Sequence, residues 1–215
     1  MKILSQKFFE QPALKIAKVL LGKYLVRRIG RKTIKVMITE VEAYDGFKDK
    51  ASHAARGLTE RNKIMFGPAG YWYVYFTYGM HWMLNIVTGR EGYPAAVLIR
   101  GVRLILPRTS SGGSLRGDAQ VLASLRDTRK GTSEKYINGP ARLTKFLKID
   151  KRFNNKAASC RTGLWIEDNP RFRNLSARGR SASGGKFEIR NSPRIGVGYA
   201  GPIWSKKPYR FKIEA

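Results

Sequence analysis

Only two residues, Gly30 and Arg31, separate the strand-like segments 23–29 and 32–44, and that spacing constrains the fold more than any other feature of the chain. A two-residue connection joins antiparallel strands, whereas a parallel pair needs a crossover of a dozen or more residues. The pattern continues downstream. Gly67-Pro68-Ala69-Gly70 is a loop, residues 71–76 are strand-forming aromatics, and segments 80–88 and 95–106 are two more strands, separated by residues 89–94. Strands in succession, joined by short turns, predict a largely antiparallel sheet. Residues 5–22 read as a helix: Pro12 suits a first turn, Leu14, Ala17 and Leu21 share an apolar stripe, and Gly22 is a stop. Residues 138–150 read as another, with Asn138 as cap, Pro140 near the first turn, and Leu143, Phe146 and Leu147 on one face. A helix over 119–126, loops over 106–118 and 171–186, and short closing strands over 187–189 and 195–199 complete the expectation. No repeat and no linker divides the 215 residues, so one domain over 1–215 is expected.

Charge narrows the partner. Lys and Arg number 42 against 15 Asp and Glu, a net charge of +27, so a polyanion is the natural partner. Nucleic acid is favoured over a membrane surface, because no basic amphipathic helix with a broad apolar face is apparent. On charge alone, a protein that coats ribosomal or other RNA is the leading reading. The longest apolar runs, such as 19–21 and 95–99, are too short to span a bilayer, and the first residues lack the apolar run of a signal peptide. A soluble, reducing compartment is expected: the cytosol or nucleoid of a bacterium, or a eukaryotic nucleus. Cys160 is the sole cysteine, which rules out an internal disulfide, and with only His53 and His81 beside it the composition argues against a zinc site.

Side chains alternate along a strand, so Ile34, Val36, Ile38, Glu40, Glu42 and Tyr44 share one face of segment 32–44. Both faces are largely apolar near the acids, which places Glu40 and Glu42 on a buried strand. A buried carboxylate is costly unless paired or hydrogen-bonded, and it is also what a general base requires. An ion pair with one of the many arginines is the plainer reading for either. Tyr71, Tyr73 and Tyr75 share one face of the aromatic strand; flat rings with polar tips suit stacking on an extruded base, although core packing is the commoner fate. Asn85 lies inside the apolar strand 83–87, where its amide either reads a base edge or bonds to neighbouring backbone. Arg100 ends the apolar run 95–99 and can clamp a phosphate or pair with Glu40 or Glu42. Phosphate-cradling loops and nucleophile–base patterns are missing, so chemistry falls to carboxylate, tyrosine, histidine and arginine.

Beyond these single residues, an ordered series stands out: Thr39-Glu40-Val41-Glu42-Ala43-Tyr44, Ala51-Ser52-His53, Arg61-Asn62, Met65-Phe66, Tyr73-Val74-Tyr75, Tyr78-Gly79-Met80-His81-Trp82, Asn85 and Ala96-Val97-Leu98-Ile99-Arg100. Asn138-Gly139-Pro140-Ala141-Arg142-Leu143, Pro193-Arg194-Ile195-Gly196, Trp204 and Lys207-Pro208-Tyr209-Arg210-Phe211 extend it over nearly the whole chain. In these residues the sequence resembles the alkyladenine (3-methyladenine) DNA glycosylases of the mammalian type, which also occur in bacteria. The resemblance implies an α/β (α+β) fold, one domain around a curved, mainly antiparallel sheet with flanking helices. It implies a monomeric, monofunctional enzyme without metal or cofactor, acting on double-stranded DNA that contains damaged purines. Glu42 aligns with the glutamate that activates water; Tyr44, His53 and Tyr75 align with the rings that sandwich the flipped base. Asn85 aligns with the amide that discriminates against the exocyclic amine of guanine, and Arg100 with a phosphate contact beside the flipped nucleotide. Tyr78 aligns with the intercalating side chain, with Met80 and His81 beside it in the minor groove. Three departures bear on lesion range and DNA footprint: Glu60 in place of a proline before Arg61-Asn62, Gly101-Val102-Arg103-Leu104 after Arg100, and an unaligned basic segment over 107–130. Two other readings compete with an enzyme: a nucleic-acid coat, which has no need of a buried carboxylate, and a damage sensor, which has no need of Glu42.

Overall fold

The computed structural model describes residues 2–105, 136–172 and 187–214. The helix expected at 119–126 lies outside these residues, as do segment 106–118 and residues 173–186. Ten strands form one sheet: β1 (Tyr24–Ile29), β2 (Lys32–Asp45), β3 (Tyr71–Thr77), β4 (His81–Val87), β5 (Ala95–Leu104), β6 (Tyr136–Asn138), β7 (Lys156–Ala157), β8 (Leu164–Glu167), β9 (Glu188–Ser192) and β10 (Arg210–Glu214). The main path runs β7-β3-β4-β5-β2-β1-β8, and every strand pairing among the described residues is antiparallel; for β1 and β2 the two-residue turn at Gly30-Arg31 requires it.

β2 organises the molecule. It pairs with β5 over most of its length, with β1 through residues 32–37, and with β10 through residues 40–42, so the sheet branches at this strand. Every residue from Val36 to Ala43 is buried; Val36, Met37, Ile38, Val41 and Ala43 are core residues, with Glu40 and Glu42 among them. The register shifts on both sides of Glu40, at its pairing with Gly101. A Cβ at position 101 would stand 3.0 Å from the Glu40 Cβ, so glycine there makes room for the acid at the irregularity.

Among the described residues, four short helices accompany the sheet: α1 (Gln6–Phe9), α2 (Ala13–Leu20), α3 (Pro140–Phe146) and α4 (Gly201–Trp204). α2 packs on β2 and β5, burying Ala13, Ile16, Ala17 and Leu20; full burial of Ile16 or Leu20 contributes roughly 1.5–3 kcal/mol each. The expected helix over 5–22 is two helices, because Pro12 supplies no N–H and disfavours helical backbone at the residue before it. The expected helix over 138–150 is shorter at both ends. Asn138 belongs to β6, Gly139 at φ 101° is the cap, and the helix has ended before Lys148, whose φ is 50°. Segment 195–199 is not a strand: Gly196 takes φ 76° and Gly198–Ala200 forms a 3₁₀ turn, while β10 fills the adjoining edge of β2. The strand expected at 187–189 runs Glu188–Ser192 and pairs with β10. Among the described residues, no helix is long and apolar enough to cross a membrane.

Candidate active site

The end of β2 carries the acids. Glu42 has no exposed side-chain surface. Its Oε1 accepts the Ile195 N–H at 2.9 Å and faces Arg100 Nη1 at 3.3 Å; its Oε2 accepts the Tyr44 hydroxyl at 2.9 Å. Burial raises its pKa above the usual carboxylate value, opposed by Arg100, the Ile195 N–H and the Tyr44 hydroxyl, and reinforced by Glu40. Burial, with the adjacent Glu42 charge, also raises the Tyr44 pKa, so Tyr44 remains a hydroxyl donor. Glu40 has a different role. Its Oε1 accepts from Arg100 Nε at 3.0 Å and from Arg210 Nη1 at 3.4 Å. Arg100, with 10% of its side chain exposed, therefore bridges both carboxylates. Of the two roles open to Arg100 in the sequence, the ion pair is the one the geometry displays.

Beside Glu42 lies a cleft lined by Tyr44, His53, Tyr75, Asn85, Tyr73 and Tyr199, with Ala51, Met65 and Ala96 filling between them. The rings stand close together around a cavity of about 30 Å³. The walls come from different elements. Alternation along β3 turns Tyr73 and Tyr75 to the cleft and buries Trp72 in the core, where its indole N–H donates to the Leu164 carbonyl at 3.1 Å. His53 begins a 3₁₀ turn, His53–Arg56, capped by the Ser52 hydroxyl. Its ring meets Tyr75 at a centroid distance of 4.6 Å, and its Nδ1 is 2.9 Å from the Tyr73 hydroxyl. Burial and the Arg61 charge lower the His53 pKa to about 4, so the imidazole is neutral near pH 7. Burial raises Tyr73 to about 12 and Tyr75 beyond that range, which keeps both phenols protonated. Asn85 donates its Nδ2 to the Tyr73 carbonyl at 3.1 Å, the backbone bond anticipated as an alternative, and also lines the cleft.

The tip of the β3–β4 hairpin contributes no residue to the cleft lining. Tyr78 and Met80 are 78% and 66% exposed, and His81 is partly exposed. Tyr78 takes φ 52° and Gly79 φ 67°, and the Met80 N–H bonds the Thr77 carbonyl. Left-handed backbone costs a bulky L-residue roughly 1–2 kcal/mol, so the turn carries strain at an exposed aromatic side chain.

Residues 7–215 match the sequence profile of the methylpurine-DNA glycosylase family. The chain belongs to that family. Among its relatives, a protein of Methanocella arvoryzae is 38% identical over 212 residues, covering 98% of this chain and 92% of the relative. One of Alkaliphilus oremlandii is 37% identical over 212 residues, covering 98% and 95%. One of Legionella pneumophila strain Corby is 36% identical over 214 residues, covering 100% and 96%. All three carry the name "Putative 3-methyladenine DNA glycosylase".

Several residues of this methylpurine-DNA glycosylase family member bear on the cleft although the sequence assigned them no role. Arg61 donates to the Phe76 carbonyl at 3.0 Å and lies over the Tyr75 ring at 5.1 Å. Asn62 is buried and ties down the His53 loop: its Nδ2 donates to the His53 and Gly57 carbonyls at 2.9 and 2.8 Å, and its Oδ1 accepts the Thr59 N–H at 2.7 Å. Both stood in a motif of the series, which was the available signal. Tyr199, whose hydroxyl donates to the Ala51 carbonyl at 2.9 Å, fell in a segment expected to be a strand. Asp49 and Arg194 form an ion pair with both side chains wholly buried. Of the departures from the family pattern, Glu60 is 91% exposed and pairs with Lys63, away from the cleft lining.

Proposed function

We propose that the protein removes damaged purines from double-stranded DNA by hydrolysing the N-glycosidic bond, acting as a monomeric, monofunctional glycosylase without a metal or cofactor. One observation supports this above the others: a cleft walled by aromatic rings, with a buried, arginine-bridged carboxylate bonded to its Tyr44 wall. Bases inside a duplex are stacked and closed to attack, so the nucleotide leaves the helix before reaction. Tyr78 fills the gap it leaves, offsetting an unstacking cost of about a few kcal/mol per step, and Met80 and His81 follow it into the minor groove. Tyr44, His53 and Tyr75 enclose the flipped base. Asn85 discriminates against the exocyclic amine of normal guanine, and Arg100 contacts the phosphate beside the flipped nucleotide. Glu42 deprotonates the attacking water and stabilises the positive charge that develops on the sugar. Glu40, shared by Arg100 and Arg210, holds Arg100 in place. The +27 charge supplies nonspecific attraction to the phosphate backbone, and this attraction weakens steeply with salt.

Free purine released from methylated duplex DNA by the purified protein, leaving unbroken strands with abasic sites, is the expected result; binding without release refutes the reading. The pH profile provides a further check. Only ionised Glu42 serves as the base, so the rate rises with pH through its raised pKa, and the acid limb lies above the ordinary carboxylate value of 4.5. His53, already neutral above about pH 4, adds no second limb near neutrality. Single-turnover rates measured from about pH 4 to 9 show one acid limb if these assignments hold, and two if His53 titrates in the reaction.

Tyr78→Gly separates strain from function. Relief of the left-handed backbone is expected to add up to about 1 kcal/mol of stability. Loss of the wedge is expected to slow base release from a fully paired duplex by roughly 10- to 100-fold, the equivalent of 1.4–2.8 kcal/mol. Thermal melting and single-turnover release measure the two effects. Equal activity in the variant removes Tyr78 from the extrusion step.

A further inference from the structure

The fully buried Asp49–Arg194 pair is not used in the reaction outlined above, and its contacts converge on Glu42. Arg194 approaches β2 at two points. Its Nη1 donates to the carbonyl of Ala43, the residue after Glu42, at 2.9 Å, and the next peptide along its own chain delivers the Ile195 N–H to Glu42 Oε1 at 2.9 Å. The guanidinium also lies 4.8 Å from the Tyr44 ring centre and 5.1 Å from that of Tyr209. Asp49 fixes the other side. Its Oδ1 accepts Arg194 Nη2 at 2.7 Å and the Ala51 N–H at 3.1 Å. Its Oδ2 accepts Arg194 Nη1 and, at 3.1 Å, the Asp45 N–H. Three segments thus meet at one ion pair: the end of β2, the loop leading to His53, and the segment that presents Ile195. Arg194 Nε is buried with no hydrogen-bond partner among the described residues, so the pair is not arranged to satisfy its own polar atoms fully.

Resting on the glycosylase reading, we propose that Arg194, anchored by Asp49, is a positioning residue for base excision: it aims the Ile195 N–H at Glu42 Oε1 and braces the Tyr44 ring from behind. A planar guanidinium can bond Asp49 through two nitrogens while still reaching the Ala43 carbonyl; a lysine ammonium lacks that fork. The Ile195 N–H stabilises the ionised form of Glu42, so losing it leaves the carboxylate harder to ionise.

Two variants test this by different routes. In the first, Ile195 is replaced by its α-hydroxy analogue, which turns the preceding amide into an ester and removes the N–H while leaving every side chain in place. In the second, Arg194→Met is combined with Asp49→Asn, which removes the pair without stranding a buried charge. The readouts are the Glu42 carboxyl titration by carbon-13 NMR and the acid limb of single-turnover base release. The expected result is an upward shift of about one pH unit or more in the Glu42 titration of both variants, with the acid limb of release moving equally. A Glu42 titration unchanged in either variant, once folding is verified by circular dichroism, overturns the proposal. If wild type releases no base, the glycosylase reading fails, and the NMR titration alone still decides whether the pair positions the N–H on Glu42.

Discussion

Glu42→Gln is expected to slow single-turnover base release by about 10²–10⁴-fold, the range contributed by a general base, or roughly 3–5.5 kcal/mol of barrier. DNA binding is expected to persist. Glutamine is isosteric; its side-chain oxygen still accepts the Ile195 N–H, and its amide can face a Tyr44 hydroxyl turned to accept. Stability should move in the opposite direction from activity. The folded-state pKa of Glu42 is raised, so the folded protein holds that proton more tightly than the unfolded chain does. The contribution of Glu42 is then fully present below the unfolded value near 4.5 and is lost as pH rises through the folded value. At pH 7 wild type therefore carries a destabilising charge that the glutamine variant lacks. The variant is expected to melt at or above the wild-type temperature at pH 7, with the advantage shrinking as pH falls through the raised folded value toward 4.5. A melting temperature lower at pH 7 than wild type, with no such trend, contradicts the raised pKa. A catalytic group that costs stability is what a site selected for chemistry rather than packing produces.

Arg194→Met is expected to cost about 3–5 kcal/mol, because it leaves the Asp49 carboxylate buried without its partner. For a chain of this size each kcal/mol corresponds to roughly 2–4 °C, so the melting temperature should fall by roughly 6–20 °C. The attraction within the pair is not the source of most of that loss. Desolvating two ions offsets much of their mutual gain, and the penalty arises from stranding one of them. Adding Asp49→Asn should therefore recover a large part of the loss, since asparagine is neutral and keeps an acceptor for the Ala51 N–H. Thermal melts of the single and double variants check this. If the second substitution lowers the melting temperature further by an independent amount, the two side chains are not coupled as their geometry indicates.

The antiparallel sheet was legible because its evidence is local. Gly30-Arg31 fixes the sense of β1 and β2, and alternation along 71–76 separates the cleft-facing tyrosines from the buried Trp72. The acids were legible for the same reason: two carboxylates in an otherwise apolar strand are conspicuous, and both are buried in the fold. β7 and β8 were not, since two- and four-residue strands carry too little periodicity to register and are formed by pairing with β3 and β1. The false strand at 195–199 shows the converse error. Ile195, Val197 and Tyr199 alternate as a strand does, but Gly196 in the left-handed region breaks the extension, and the segment instead offers its Ile195 N–H to Glu42. Arg194 and Asp49 were hidden by composition. Arg194 stood in the motif Pro193-Arg194-Ile195-Gly196, but among 42 basic residues nothing local marks its charge as buried, because its partner is 145 positions away. Choosing Glu42 over Glu40 rested mostly on the resemblance; in the fold, Glu42 bonds the cleft-lining Tyr44, whereas Glu40 is held by Arg100 and Arg210.

Hydrolysis of the base–sugar bond by water is tested by product analysis in oxygen-18 water. Wild-type protein would be mixed in excess with duplexes each bearing a single 3-methyladenine, 7-methylguanine, hypoxanthine or ethenoadenine. The account predicts free base from at least one duplex, an intact strand with an abasic site, and the heavy oxygen at the sugar C1′ before exchange with solvent. Binding with no base released from any of the four, or a strand trapped on the protein by borohydride through an amine at C1′, would contradict it.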